Sequence, residues 1–218
     1  MIKKLRKVAP LLPYVFVMTA FLAGLCICEW RGVRLGTWLT KPAAALTFVA
    51  AALAMGALDS DYGRAMLTGL ALCVGGDVLL IPKSDRAFLA GLASFLLGHV
   101  AYAVAFAIRG VDLVWTLSTL LVLGGVAALV GRWLLPHVRA SMKKPVLAYM
   151  TVITAMVALS VGTVAHGGNA LVFVGAFAFY LSDLCVARER FVRPGLVNKA
   201  LGLPLYFGAQ LVLASTVG

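Results

Sequence analysis

Two aspartates lie inside stretches of sequence that otherwise have the composition of membrane-embedded helices. Asp77 falls near the end of the run ALCVGGDVLL (71–80), and Asp183 falls within AFYLSDLCVA (178–187). A charged side chain in the hydrocarbon region costs about 2.5–3.5 kcal/mol or more, so intramembrane acids usually face a cavity and serve a function. Two acids that face one cavity indicate either acid–base chemistry or proton-coupled transport.

The cost of burying charge limits what such a pair of acids can do. Two neighbouring buried carboxyls do not both ionise readily, because burial penalises the charged form and a nearby like charge adds to the penalty. We therefore expect one protonated acid beside one carboxylate, which suits a general acid and a general base. The chain has no Gly-x-Ser-x-Gly elbow, and VGGD (74–77) differs from the GxGD of intramembrane aspartyl proteases at Val74.

Further polar side chains are predicted on the same side of the membrane as the acids or near its middle. His99 and Tyr102 are three residues apart, and Tyr206 and Gln210 are four apart, so each pair shares one helical face. We expect one polar pocket to collect these four residues with three others, namely Lys41, Tyr149 and Ser182. Because His99 is the one histidine clearly within a predicted span, no metal site is expected.

Several of these residues also have a purely structural alternative. The two aspartates could each form only a structural hydrogen bond to a neighbouring helix. His99 and Gln210 could serve only as hydrogen-bonding groups between helices. Tyr149 could be an interfacial aromatic, and Lys41 could extend to the membrane surface and fix topology. Glu29, at the end of the first span, we expect to be solvated.

Composition sets the fold class. The 218 residues are 62% hydrophobic and only 12% charged, too few charges for a soluble domain of this size. We predict an all-α polytopic integral membrane protein, with Lys41-Pro42 and Lys144-Pro145 opening the second and sixth spans. Connections are short, so residues 1–218 are predicted to form a single transmembrane domain. The eight predicted spans are 10–29, 42–58, 65–81, 87–108, 112–131, 145–164, 168–187 and 198–217.

The chain shows signs of an internal duplication. The second Lys-Pro dipeptide follows the first by about the same interval as Asp183 follows Asp77. A tandem repeat with halves at about 10–108 and 112–217 would contain four spans each and would therefore be parallel. The two aspartates would then lie at similar depth in the same leaflet.

The net charge of +11 is best explained by membrane topology. Most of the 19 lysines and arginines fall in the loops after spans 1, 3, 5 and 7, which the positive-inside rule places in the cytoplasm. The basic cluster between Lys3 and Lys7 indicates the opposite orientation. Nucleic-acid binding is not expected, whereas anionic lipid head groups are natural neighbours of the basic loops.

Several motifs together resemble those of the YhhN-like membrane proteins, whose characterised members are lysoplasmalogenases. The resemblance runs from about Thr40 to Leu213, and it places Asp77 and Asp183 on the positions regarded as catalytic. Where relatives often have a Tyr-Tyr pair, this chain has Tyr206 followed by Phe. The motifs are TKP (40–42), GDVLL (76–80), FLLGHVAY (95–102), PVLAYMTVITAM (145–156), GAFAFYLSD (175–183), RF (190–191) and LYFGAQ (205–210).

This resemblance implies an enzyme of the bacterial cytoplasmic membrane that hydrolyses the vinyl ether of a lysophospholipid, a lysoplasmalogen. The products would be a fatty aldehyde and glycerophosphoethanolamine or glycerophosphocholine, formed without a cofactor. Lys41 and loop arginines would hold the phosphate. The alternative is a proton-coupled transporter or channel for a small or lipid-like solute, and a third interpretation is a non-catalytic lipid-binding protein.

Overall fold

A computed structural model describes residues 11–218, which form eight α-helices and no β-strand. The prediction of an all-α membrane protein is therefore confirmed for this part of the chain. The basic cluster between Lys3 and Lys7 and the first residue of the first predicted span lie outside the described residues. The helices are α1 Leu12–Arg31, α2 Arg34–Ala54, α3 Asp61–Leu79, α4 Asp85–Arg109, α5 Leu113–Leu134, α6 Ala140–Ala165, α7 Leu171–Ala187 and α8 Leu196–Ala214.

Seven of the described helices are long and apolar enough to cross a bilayer, and α3 is the exception. Within its 19 residues α3 contains Asp61, Arg64 and Asp77, which lower its average hydropathy. Its inner face is nevertheless buried by tight packing against α4. Ser60 caps α3 by accepting a hydrogen bond from the Gly63 amide at 3.0 Å.

The predicted starts of the second and sixth spans are wrong. Helix α2 begins at Arg34 and α6 begins at Ala140, so Pro42 and Pro145 lie inside the helices. A proline removes one backbone hydrogen bond, but neighbouring helices and side chains allow this in membrane helices. As a result Lys41 lies about two turns into α2, within the bundle rather than at its edge.

Burial distinguishes two outer helices, α1 and α5, from six inner ones. Each helix packs against the next along the chain within α1–α4 and within α5–α8. The two sets meet where α1, α2 and α3 contact α8 and where α4 contacts α6. Helix α5 faces outward and buries only Thr116, Gly131 and Leu134, whereas α2 has a fully buried alanine-rich face. The inner helices therefore enclose the polar residues.

Small residues allow α3 and α4 to approach closely. A side chain at Gly69 would overlap the ring of Tyr102, and one at Gly76 would overlap the ring of Phe95. Glycines at such positions are typical of helix contacts in membranes, where packing rather than the hydrophobic effect drives association. This contact fixes the face of α4 that carries His99 and Tyr102.

Candidate functional site

Asp77 lies near the end of α3, and its carboxylate is almost fully enclosed. The residue is 1% exposed. Its Oδ1 lies 3.3 Å from the Lys41 Nζ of α2, and its Oδ2 accepts a 2.5 Å hydrogen bond from the Tyr206 hydroxyl of α8. A cation and a hydroxyl donor both stabilise the ionised form of a buried carboxyl, which would otherwise carry an uncompensated charge.

Asp183 lies near the end of α7 and has different partners. Its Oδ2 accepts a 2.7 Å hydrogen bond from the Tyr149 hydroxyl of α6 and lies 3.7 Å from the His99 Nε2 of α4. Within residues 11–218, no lysine or arginine forms an ion pair with Asp183. The two acids thus differ in electrostatics, since Asp77 has a full cation beside it and Asp183 has a titratable ring.

The position of the proton on His99 follows from its second contact. Its Nδ1 lies 2.7 Å from the backbone carbonyl oxygen of Phe95, which can only accept, so Nδ1 carries the hydrogen. In a neutral imidazole the remaining nitrogen, Nε2, is then an acceptor. This Nε2 is buried, has no hydrogen-bond partner among the described residues, and faces Asp183.

The two acids have matching surroundings in terms of helix order. Asp77 on α3 is contacted from α2 and α8, and Asp183 on α7 is contacted from α6 and α4. In each case one partner comes from the preceding helix and the other from the last helix of the opposite set of four. The tandem repeat predicted from the sequence remains a prediction.

One cavity connects the two acids. Asp77 and Asp183 both line it, together with Lys41, Tyr149 and Tyr206. Most of its remaining wall is apolar and includes Phe88, Leu92, Leu134, Val146 and Met150. A narrow group of polar atoms inside an apolar cavity is suited to a ligand with a small polar part and a hydrocarbon chain.

Aromatic rings separate the surroundings of the two acids. The Phe179 ring lies 5.2 Å from the Tyr206 ring and 4.5 Å from the His99 ring, measured between centroids. The Phe95 ring packs edge-on against Tyr206 at 5.7 Å. These contacts restrict the rotamers of the groups that touch the carboxyls, and they limit the water around them.

The other predicted site residues, Tyr102, Gln210 and Ser182, are hydrogen-bonded to groups other than the two acids. The Tyr102 hydroxyl donates a 2.6 Å hydrogen bond to the Gln210 Oε1, and neither residue is among the described residues that line the cavity. Ser182 lines the cavity, but its hydroxyl donates to the Phe179 carbonyl within its own helix at 2.8 Å. In the described structure none of these three side chains forms a hydrogen bond or ion pair with either acid.

A second polar group along the cavity was missed by sequence reasoning. Glu189, Asn198 and Lys199 line its wall at the loop ends of α7 and α8. Glu29, expected to be solvated, instead forms a 2.7 Å ion pair with Lys199 and is partly buried. Sequence reasoning attributed the charge of Lys199, near the start of the last span, to membrane topology alone. No rule of sequence spacing predicts a contact between residues as distant as 29 and 199.

The donor groups needed for a resident metal ion are not assembled in the described part of the chain. Across residues 11–218, no group of three or more His, Cys, Asp or Glu side chains has an arrangement that could hold a metal ion. The polar groups of the cavity are carboxyls, tyrosine and serine hydroxyls, an asparagine amide and two lysine ammoniums. These are groups for acid–base and hydrogen-bonding work.

The proteins that this chain is similar to include lysoplasmalogenases from mammals and mycobacteria. The lysoplasmalogenase TMEM86A of Bos taurus is 28% identical over 155 residues, 68% of this chain, and the match covers 63% of the bovine protein, less than two thirds of its length. The lysoplasmalogenase of Mycobacterium tuberculosis is 27% identical over 238 residues, covering 94% of this chain and 87% of the relative. Human lysoplasmalogenase TMEM86B is 28% identical over 200 residues, covering 90% and 84%.

No solved structure matches the chain significantly. The sequence model of the YhhN family matches residues 36–217, which include both acids and all of their contacts described above. This chain is a polytopic integral membrane protein that belongs to the YhhN family.

Proposed function

We propose that the protein is an intramembrane hydrolase that cleaves the vinyl ether bond of lysoplasmalogens. The products would be a fatty aldehyde and glycerophosphoethanolamine or glycerophosphocholine. The observation that carries the proposal is that Asp77 and Asp183 line one cavity whose wall is mostly apolar. The names of the similar proteins support the same substrate class. The proposed location is the bacterial cytoplasmic membrane, with the basic loops facing the cytoplasm.

The roles of the acids follow from their contacts. Asp77, paired with Lys41 at 3.3 Å, is proposed as the carboxylate. Asp183 is proposed as the protonated acid, because a neutral carboxyl beside a neutral His99 leaves no unpaired charge in the buried site. The His99 Nε2 lies 3.7 Å from the Asp183 Oδ2, so after a small side-chain shift its lone pair could accept a hydrogen bond from the protonated carboxyl when no substrate is bound.

The reaction begins with proton transfer to carbon. Asp183 donates its proton to the outer carbon of the vinyl ether, and an oxocarbenium ion forms at the carbon bonded to oxygen. The Asp77 carboxylate stabilises this cation and accepts a proton from the water that attacks it. The resulting hemiacetal breaks its bond to the glycerol oxygen, which leaves with the hydroxyl proton, and an aldehyde is released. A proton then returns from Asp77 to Asp183.

The tyrosines position the two acids. The Tyr206 hydroxyl donates to Asp77, and the Tyr149 hydroxyl donates to Asp183. The Asp183 Oδ1 has no hydrogen-bond partner among the described residues and is available to substrate. Both oxygens of Asp77 have a partner, Tyr206 on Oδ2 and Lys41 on Oδ1, so water would bind a second lone pair of either oxygen. The hydrocarbon chain would lie along the apolar wall that includes Phe88, Leu134 and Met150.

Aldehyde release by the purified protein in detergent tests this proposal. We expect turnover of a 1-alkenyl lysophosphoethanolamine and none of its 1-acyl analogue, with no ion gradient present. Asp77→Asn and Asp183→Asn should each lower kcat by about 100-fold or more. Asp59→Asn, in an exposed connection, is the matched control and should have wild-type activity.

Two outcomes would contradict the proposal. No aldehyde from the alkenyl lipid, together with proton-coupled flux in liposomes, would favour the transporter alternative. Lipid binding without turnover, unaffected by either aspartate substitution, would favour the non-catalytic interpretation. Circular dichroism of each variant separates loss of activity from loss of fold.

A further inference from the structure

The polar lining of the cavity forms two groups, and the second is not used by the chemistry proposed above. This second group, here called the mouth cluster, consists of Glu29, Glu189, Asn198 and Lys199. Three of its members line the cavity, and Glu29 is joined to them through Lys199. The cluster lies at the loop ends of α1, α7 and α8, on the side of the bundle toward which both acids are displaced.

The ammonium of Lys199 lies between two carboxylates. Its Nζ is 2.7 Å from the Glu29 Oε2 and 4.0 Å from the Glu189 Oε1. The lysine side chain is 32% exposed, so it is neither fully solvated nor sealed. An ammonium has three N–H donors, and only the contact with Glu29 is short enough to be a hydrogen bond. Lys199 can therefore bind a further anion.

Glu189 is held through one of its oxygens only. Its Oε2 accepts hydrogen bonds from the Gly195 amide at 2.7 Å and from the Asn198 Nδ2 at 2.8 Å. Asn198 is itself fixed, because its Oδ1 accepts a 2.6 Å hydrogen bond from Arg188. Among residues 11–218, the Oε1 of Glu189 has only the 4.0 Å contact with Lys199, so this oriented carboxylate can bind a cation.

The backbone that carries Glu189 is fixed by neighbouring contacts. Helix α7 continues into a single π-helical segment, Arg188–Val192, and such segments often occur at functional sites. Arg190 forms a 2.6 Å ion pair with Asp85 and lies 4.5 Å over the Phe88 ring. The turn that carries Glu189 is therefore held in place by the contacts of Arg190.

The charges of the cluster match a zwitterion. Lys199 contributes one cation to the mouth cluster, and Glu29 and Glu189 contribute two carboxylates. The neighbouring Arg188, which is hydrogen-bonded to Asn198, brings the local charge to zero. A head group with a phosphate and an ammonium can pair both of its charges here. A head group with only negative charge would leave Glu189 unpaired and close to the phosphate.

The distance from the cluster to the acids suits a lysophospholipid. Lys199 precedes Tyr206 by seven residues on α8, an axial rise of about 10 Å. Glu189 follows Asp183 by six residues, or about 9 Å if the helical rise is kept. Five bonds separate the vinyl ether oxygen from phosphorus, roughly 6 Å when extended, and the side chains on each end span the remainder.

We propose that the mouth cluster is the head-group subsite, in which Lys199 binds the phosphate and Glu189 binds the ammonium of a zwitterionic lysolipid. This inference rests on the proposed function, since it assigns the head group of the same substrate. It replaces Lys41 as the phosphate ligand, because Lys41 is already paired with Asp77.

Four vinyl ether substrates test the assignment. They carry phosphoethanolamine, phosphocholine, phosphate alone or a free hydroxyl on the same alkenylglycerol. Lys199→Gln should lower kcat/KM for the three phosphorylated substrates by about tenfold or more and leave the unphosphorylated one unchanged. Glu189→Gln should lower kcat/KM only for the phosphoethanolamine and phosphocholine substrates. Lys144→Gln, an exposed lysine near the same face, is the control and should change none.

Uniform changes across the four substrates, or no change for either variant, would overturn the subsite. Lys199→Arg, which keeps the cation, should restore most of the preference for phosphate and so excludes a folding defect. Binding of the 1-acyl lysophosphoethanolamine, measured by thermal shift, separates this inference from the proposed function. If the wild type releases no aldehyde but both substitutions still weaken lipid binding, the head-group subsite is supported and the hydrolase proposal is contradicted. If the substitutions do not weaken lipid binding, the head-group subsite is contradicted too.

Discussion

The ion pair between Lys41 and Asp77 should be the most strongly coupled pair in the protein. The two side chains are 13% and 2% exposed, and their charged atoms are 3.3 Å apart. At an effective dielectric constant of 20, two charges at this distance attract by about 5 kcal/mol. Removing one partner of a buried pair costs about 3–5 kcal/mol, because the other charge is left without compensation.

We therefore expect Lys41→Gln to lower the free energy of unfolding by about 3 kcal/mol and to abolish most aldehyde release. The double variant Lys41→Gln with Asp77→Asn removes both charges, so its loss should be smaller than the sum of the single losses by at least about 1 kcal/mol. SDS titration of the micellar protein, followed by circular dichroism, measures these energies. Lys144→Gln, at an exposed position, should change them by less than about 0.5 kcal/mol.

Additive single effects, within about 0.5 kcal/mol, would refute the buried pair. A different result would support the earlier expectation that Lys41 binds phosphate. In that case Lys41→Gln would raise KM for phosphorylated substrates, spare the unphosphorylated alkenylglycerol and leave the stability nearly unchanged. The two roles of Lys41 thus give opposite patterns in the same pair of assays.

Two further predictions concern the neighbours of the acids. Tyr149→Phe removes the donor to Asp183 and should lower kcat by about tenfold, with Tyr14→Phe, which lies on α1 away from the cavity, as the unaffected control. An unchanged kcat would show that Tyr149 does not orient Asp183. Gly69→Val places methyl groups into the Tyr102 ring and should cost about 1–3 kcal/mol, whereas Gly124→Val, which meets open space, should cost much less. Equal melting temperatures for these two variants would contradict the close approach of α3 and α4.

The features that could be predicted from the sequence are those with a local signal. An acid within an apolar run is a local signal, so Asp77 and Asp183 could be singled out as the centre of a cavity. Helix boundaries depended on proline, and here proline was misleading. Pro42 and Pro145 lie inside helices because the bundle compensates for the missing hydrogen bond.

Partner choice could not be predicted, because it depends on which helices meet. The family resemblance implied that Lys41 holds the phosphate, yet the packing of α2 against α3 brings it to Asp77. Lys199 and Glu29 are 170 residues apart in the chain, and only the contact between α1 and α8 joins them. The difference in charge between the surroundings of the two acids likewise appears only in three dimensions.

In the proposed reaction a cavity acid protonates carbon, and water then completes the cleavage. Hydrolysis of an alkenyl lysophosphoethanolamine in D₂O, with the aldehyde trapped at once and analysed by mass spectrometry, shows whether carbon takes up a proton from solvent. We expect a single deuterium at carbon 2 of the aldehyde for the wild type and no aldehyde above background for Asp183→Asn. An aldehyde without deuterium, or a deuterated one formed by Asp183→Asn at the wild-type rate, would contradict the proposed reaction.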